Sequence, residues 1–212
     1  MKLPLKNQKL SKNLFQKFNW QELQPSPIIG VDEVGRGCLA GPVYAAAVII
    51  NPVNDFTQYT DSKAISEKRR QLYSNHIKQN HTWSIGIASV QEISELNILH
   101  AALLAMRRAV EKLDCNKGHI IVDGNQKIPG LSESFFQTPL VKGDLRASPV
   151  AAASIVAKVA RDQWMAEQNQ QYPQYEFAKH KGYSTQLHKE RIKKYGPCPL
   201  HRPTFSGVKE FI

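Results

Sequence analysis

Residues 26–50 read SPIIGVDEVGRGCLAGPVYAAAVII. Ser26 to Val34 and Gly41 to Ile50 are short apolar runs joined by a glycine-rich turn, a pattern that predicts two neighbouring strands. Asn51, Pro52 and Asn54 end the second one. Asp32 and Glu33 fall at the end of the first, so the stretch that sets the fold also carries two adjacent carboxylates. Neighbours on an ideal strand point to opposite faces, which makes one surface residue and one turn residue a sufficient reading. For both to serve one site the strand must bend or stop there, and Gly35 and Gly37 permit that.

Outward from this stretch, Trp83 to Val90 (WSIGIASV) alternates apolar with small or polar residues, as a half-buried third strand does. Three consecutive strands predict an antiparallel meander. From Ile93 the residues Leu96, Leu99, Leu103, Met106, Val110 and Leu113 recur every three or four positions, predicting a helix with Ser89 and Glu92 spaced as a capping box before it. His119 to Asp123 and Pro139 to Val141 are two further short strands. Ser148 suits an N-cap and Pro149 a first helical position, and the small, apolar stretch PVAAASIVAKVA predicts a helix buried deeply against the sheet. A last helix is expected from about Thr185 to Tyr195, stopped by Gly196 and Pro197. The order indicates an α/β fold with a mixed five-stranded sheet flanked by helices. One domain is expected over residues 1–212, with 1–25 as a leading arm or helix and about 183–212 as a C-terminal helical region.

Lys and Arg outnumber Asp and Glu 28 to 18, for a formal charge of +10. Such a surface attracts a phosphate backbone without reading its sequence, although a merely basic protein fits the number too. Cys38, Cys115 and Cys198 are an odd set without paired ligand spacing, against a disulfide framework or a zinc site. The start holds no continuous apolar segment, and the longest apolar run, Val43 to Ile50, is too short to span a bilayer. A cytoplasmic protein without membrane contact is expected.

Where the few acidic residues fall is informative. Asp32 and Glu33 end the first strand, Asp123 ends HIIVD and Asp144 ends PLVKGD, so three strand ends could deliver carboxylates to one sheet edge. Converging carboxylates repel and raise one another's pKa unless cations sit between them. Hard divalent ions take such oxygen donors, and a pair about 4 Å apart stabilises both attacking and leaving oxygens in phosphodiester hydrolysis. Ordinary turns explain Asp123 before Gly124 and Asp144 after Gly143 equally well. Asp162 is expected on the exposed side of its helix, and Asp61 as a cap for the segment that follows it.

From about Ile28 to Phe205 the segments GVDEVGRGCLAGPVYAAAV, DSKAISEKRR, NILHAALLAM, IVDGN, VKGD, AAASIVAKVARD, HKGYST and HRPTF resemble, in order, the blocks of the ribonuclease HII family. The resemblance implies a ribonuclease H-like fold and a site of four carboxylates at Asp32, Glu33, Asp123 and Asp144, holding Mg²⁺ or Mn²⁺, with two ions in the substrate complex. It implies an endonuclease acting on RNA/DNA hybrids and on ribonucleotide-containing duplex DNA, cutting 5′ of the ribonucleotide to leave 3′-hydroxyl and 5′-phosphate ends. It further implies that Gly35, Arg36 and Gly37 approach the backbone at the ribonucleotide, where the 2′-hydroxyl separates RNA from DNA. Tyr183 then stacks on the next sugar, while Lys63, His180 and Lys181 contact phosphate, although a solvated basic face also explains those three. Val34 stands where the family often has Ala, and Ser184 where it often has Gly; Ser184 could cap the final helix. Arg36 and the short leader argue against the related ribonuclease HIII. The tail GVKEFI ends in Phe211 and Ile212, read either as frayed or as docking on a sliding clamp. A monomer is expected.

Overall fold

In a computed structural model of the chain, residues 17–54 and 59–212 are described. Five strands form one sheet: β1 (Ile28–Val34), β2 (Val43–Ile49), β3 (Thr82–Ala88), β4 (Gly118–Asp123) and β5 (Phe135–Leu140), in the order β3-β2-β1-β4-β5. The first three form the antiparallel meander read from their alternation, and β4 and β5 add on in parallel. β5 begins earlier than expected, at Phe135, and stops before Val141, which is exposed.

A helix on each face buries the sheet. α2 (Val90–Glu111) covers β2 and β3, while α4 (Ser148–Gln171) lies across β1 and β2. Alternation along β1 divides its side chains between the two cores: Ile29 and Val31 join the α2 side, Ile28 and Val34 the α4 side. Both helices sit close because the strands present glycine where they cross. A Cβ on Gly30 would stand 2.0 Å from Pro149 C, and one on Gly86 2.0 Å from Ala105 O.

The capping box forms, with Glu92 N–H on Ser89 Oγ and Ser89 N–H on Glu92 Oε2. Leu96 and Leu99, however, are exposed. A kink at Asn97, with φ 65°, interrupts the expected stripe between Ile93 and Leu103, both buried, and Asn97 Oδ1 accepts from Leu99 and His100 N–H to restart the helix. α4 begins at Ser148 itself, with Ala147 in the capping position and no side-chain cap, so Ser148 is not the N-cap.

One helix escapes the periodicity. α1 (Glu67–Asn80) lies between β2 and β3 and buries only Tyr73, Ser74 and Ile77, too few apolar positions to leave a stripe. α3 (Gly143–Arg146), α5 (Phe177–His180) and α6 (Gln186–Tyr195) follow the sheet; α6 and a 3-10 turn, Lys209–Phe211, fall within residues 183–212. Thr185, not Ser184, caps α6 by accepting from His188 N–H.

The expected leading arm or helix lies outside the described residues up to 16. From 17 onward it is a single 3-10 turn, Trp20–Glu22, with Trp20 buried in the α4-side core. Phe211 and Ile212 stand exposed at the far end. No described helix is long and apolar enough to cross a membrane.

Candidate metal centre

β1 pairs with β4 from Ile28–His119 to Val31–Val122, and the ladder stops one residue before Asp32 and Asp123. Beyond that point no pairing fills the space between the two strand ends, and carboxylates occupy it. One oxygen each of Asp32, Glu33 and Asp123 lies within 4.8 Å of the others. β1 neither bends nor stops at Asp32; it runs on in register with β2 to Val34–Tyr44. The two neighbours therefore leave opposite faces. Asp32 is on the α4 side beside Ser154. Glu33 is on the α2 side, lining a small cavity with Leu99, Ala102, Met106 and Asp123. They meet because the gap after the last β1–β4 pair is open to both faces.

Local hydrogen bonds hold the carboxylates. Asp32 Oδ1 accepts the N–H of Glu33 at 2.7 Å, and Asp123 Oδ1 accepts that of Gly143 at 2.7 Å. The second bond draws α3 to the strand end and sets Asp144 beside the trio. Asp144 is on α3 rather than at the end of a strand, and it flanks the other three instead of sharing their spacing. Lys142 makes the turn before it in the left-handed region, φ 57°.

Burial raises every one of these acids. Asp32 is 5% exposed, and its pKa stands well above the usual carboxylate range, first from burial and then from Glu33 and Asp123. Glu33 is raised by burial, opposed by Arg36, whose Nη1 is 3.4 Å from Oε1. Burial raises Asp123, and Asp144 is pushed up to about 6 by burial and then by Asp123 and Asp61. Lys63 is exposed and acts favourably on both. An oxygen-only set of mutually repelling carboxylates is what a hard divalent cation fits and a soft one does not.

A consequence for stability follows from the sign of these shifts. A carboxyl whose folded pKa lies above its unfolded value stabilises the fold at low pH, and that contribution disappears as pH rises through the folded value. For Asp144 the window runs from its ordinary 3.8 to about 6, and the raised Asp32 acts in the same direction. In EDTA, urea midpoints should fall between about pH 4 and pH 6, and Mg²⁺ or Mn²⁺ should restore the loss above that window. A midpoint insensitive to both pH and metal would argue against a cation site here.

The ribonuclease HII family model matches residues 29–208. A ribonuclease HII of Endomicrobium trichonymphae is 48% identical over 187 residues, spanning 88% of this chain and 88% of its own length. One from Syntrophotalea carbinolica is 47% identical over 186 residues, 87% of this chain and 88% of its own. The chain belongs to the ribonuclease HII family. Among solved structures, the ribonuclease H2 of Pyrococcus horikoshii superposes with a TM-score of 0.72 at 27% identity, covering 87% of this chain and 96% of that one. The fold is ribonuclease H-like, and the chain is an endoribonuclease of the ribonuclease H class.

Apart from Lys63, the other residues of the ribonuclease HII resemblance lie in two segments, one following Glu33 directly and one joined to it by the Cys38–Tyr183 bridge. Gly35 is buried with φ 100°, and Arg36 and Gly37 are exposed, with open space where a Gly37 side chain would be. Tyr183 is half-buried; its backbone bridges to Cys38, and its ring lies 4.9 Å from Lys158 Nζ and 5.7 Å from the Arg161 guanidinium.

His180 does not fit a phosphate contact. It is 7% exposed, its Nε2–H donates to Tyr175 O at 2.8 Å, and Nδ1 accepts from Gly182 N–H at 3.2 Å. Both ring nitrogens are thus committed to shaping the turn before Tyr183. Lys181 is half-buried with φ 52°, its carbonyl tied to Arg161. Asp61 behaves as expected, Oδ1 accepting from Lys63 N–H. Asp162 is not free on an exposed helix face; it is half-buried, 2.8 Å from Lys158 and 3.7 Å from Arg70.

Residue-level reading passed over Ser154, Arg161 and Arg202. Ser154 Oγ bonds Ser62 Oγ at 2.9 Å and neighbours Asp32. The signal was present for Arg161, which stands seven residues, about two helical turns, after Ser154 and so on the same face of α4.

Proposed function

We propose that this chain hydrolyses the RNA strand of RNA/DNA hybrids and incises 5′ of a single ribonucleotide embedded in duplex DNA, leaving 3′-hydroxyl and 5′-phosphate ends. The observation that carries the reading is the convergence of Asp32, Glu33 and Asp123 in a chain of net charge +10. A passive binder of nucleic acid gains nothing from a buried acidic cluster that repels its ligand. A hydrolase gains a seat for divalent cations. Two Mg²⁺ or Mn²⁺ ions held by Asp32, Glu33, Asp123 and Asp144 would supply Lewis acidity and a nucleophile at neutral pH.

The chain's own groups do the rest. The basic surface and the exposed Lys63 ammonium draw in the phosphate backbone. Gly37, with open space where a side chain would stand, leaves the exposed side of the turn bare, so a strand can come close enough for backbone hydrogen bonding to a 2′-hydroxyl, while Gly35 lets the turn pack on Arg161. Tyr183 offers its ring to the following sugar, and Lys181 lies at the edge of that surface. The exposed Phe211 and Ile212 make a sliding clamp a candidate partner, to be checked by deleting both and measuring co-migration.

The deciding experiment is incubation of a labelled DNA duplex containing one ribonucleotide with the protein in Mg²⁺, Mn²⁺ or EDTA. A single metal-dependent cut immediately 5′ of the ribonucleotide is expected. Cleavage confined to runs of ribonucleotides would move the specificity to another type of ribonuclease H, and no cleavage with either metal would sink the proposal.

A further inference from the structure

Arg161 and Arg202 are the two largest fully buried side chains among the described residues, each 0% exposed. A guanidinium taken out of water usually requires a carboxylate. Neither has one: the ion pairs among the described residues use other bases. Their hydrogen bonds run instead to backbone carbonyls. Arg161 donates from Nε to Pro42 O (3.1 Å), from Nη2 to Ala40 O (3.0 Å) and from Nη1 to Lys181 O (2.9 Å). Arg202 donates from Nη2 to Gly35 O (2.6 Å), from Nη1 to Arg36 O (2.9 Å), and from Nε and Nη2 to Gly41 O (3.0 and 2.8 Å).

These carbonyls belong to two segments only: 35–42, which begins with the Gly35–Arg36–Gly37 turn, and Lys181, two residues before Tyr183. The segments also touch directly. Leu39 N–H donates to Gly182 O at 2.9 Å, and Cys38 bridges Tyr183. A Cβ on Gly182 would meet Ala40 O at 2.5 Å, and one on Gly35 would meet Arg161 Nε at 2.3 Å. The arrangement is costly in isolation. Burial pulls Arg202 down to about 10, with Arg161 adding a like charge. What a planar fork of donors contributes instead is fixed geometry between the backbones it joins.

We infer that Arg161 and Arg202 are positioning residues that set the spacing between the Gly35–Gly37 turn and Tyr183, and so select a ribonucleotide followed by a deoxyribonucleotide over an unbroken RNA strand. The inference rests on the proposal above that the turn meets the 2′-hydroxyl and Tyr183 the next sugar. A substrate that needs both elements at once feels their separation; a continuous RNA/DNA hybrid, which presents a 2′-hydroxyl at every step, depends on it less. A role in stability alone would lower both activities together.

The test compares kcat/KM on a single-ribonucleotide duplex with kcat/KM on a continuous hybrid, for wild type, Arg161→Lys, Arg202→Lys and Tyr183→Ala, with melting temperatures for each. Lysine keeps the charge and loses the fork. Each lysine variant should lower the ratio of the two rates by about tenfold or more, since small misplacements at a reacting centre carry such penalties. Added to Tyr183→Ala, the same substitutions should lower the ratio no further. If the lysine variants do not fold, Gly182→Ala presses the segments apart at Ala40 O, an acceptor of Arg161, with both arginines retained, and should shift the ratio in the same direction. Equal losses on both substrates, or an unchanged ratio in a folded variant, would overturn the inference. A wild type that does not cut 5′ of the single ribonucleotide would instead remove the underlying proposal, and the inference with it.

Discussion

Asp32→Asn is expected to lower metal-dependent cleavage by at least about 1,000-fold, some 4 kcal/mol of transition-state stabilisation. The change is nearly isosteric, so the Glu33 N–H that Asp32 Oδ1 now accepts keeps an acceptor. What disappears is the charge that a cation needs at the most buried corner of the trio, where Glu33 and Asp123 converge with it. Because burial and those neighbours already oppose ionisation of Asp32, the metal-free variant should melt no lower than wild type near neutral pH. It should also show a much smaller rise in melting temperature on adding Mn²⁺. Retained activity would mean that the chemistry lies elsewhere; lost activity with a collapsed melting temperature would mean that Asp32 is structural.

Gly30→Ala should cost about 3 kcal/mol or more, a large part of a domain's typical margin. Its Cβ would stand 2.0 Å from Pro149 C, 2.3 Å from Pro149 O and 2.3 Å from Val150 N. Those are backbone atoms, so no rotamer change relieves the clash; α4 has to move away from β1. That movement would separate Ser154 from Asp32, and cleavage should fall with stability. Urea unfolding in EDTA measures the first effect free of metal. A midpoint equal to wild type would show that α4 does not seat on Gly30.

Asp123 was legible because its strand ends where the apolar alternation ends, whereas β1 runs on past Asp32 and Glu33 to Val34 and Asp144 lies on α3. That they share a site was a matter of resemblance until the fold placed them. The rule that strand neighbours face apart holds for Asp32 and Glu33, and it does not separate them, since the β1–β4 ladder stops just short of both. His180 shows the opposite limit. A histidine between two lysines reads as basic surface, whereas packing turned it inward against Tyr175 and Gly182.

The sequence by itself determined the meander, the buried helix after Ser148, the capping box at Ser89 and the net charge, because each depends on local periodicity, local hydrogen bonding or simple counting. Only the tertiary structure decided the rest. α1 leaves almost no apolar stripe, and the Asn97 kink depends on which way α2 must turn to cover the sheet. The two buried arginines bind carbonyls more than a hundred residues away, or across the turn before Tyr183. Contacts between distant segments leave no periodic trace in either one, and they exist only once the chain has closed on itself.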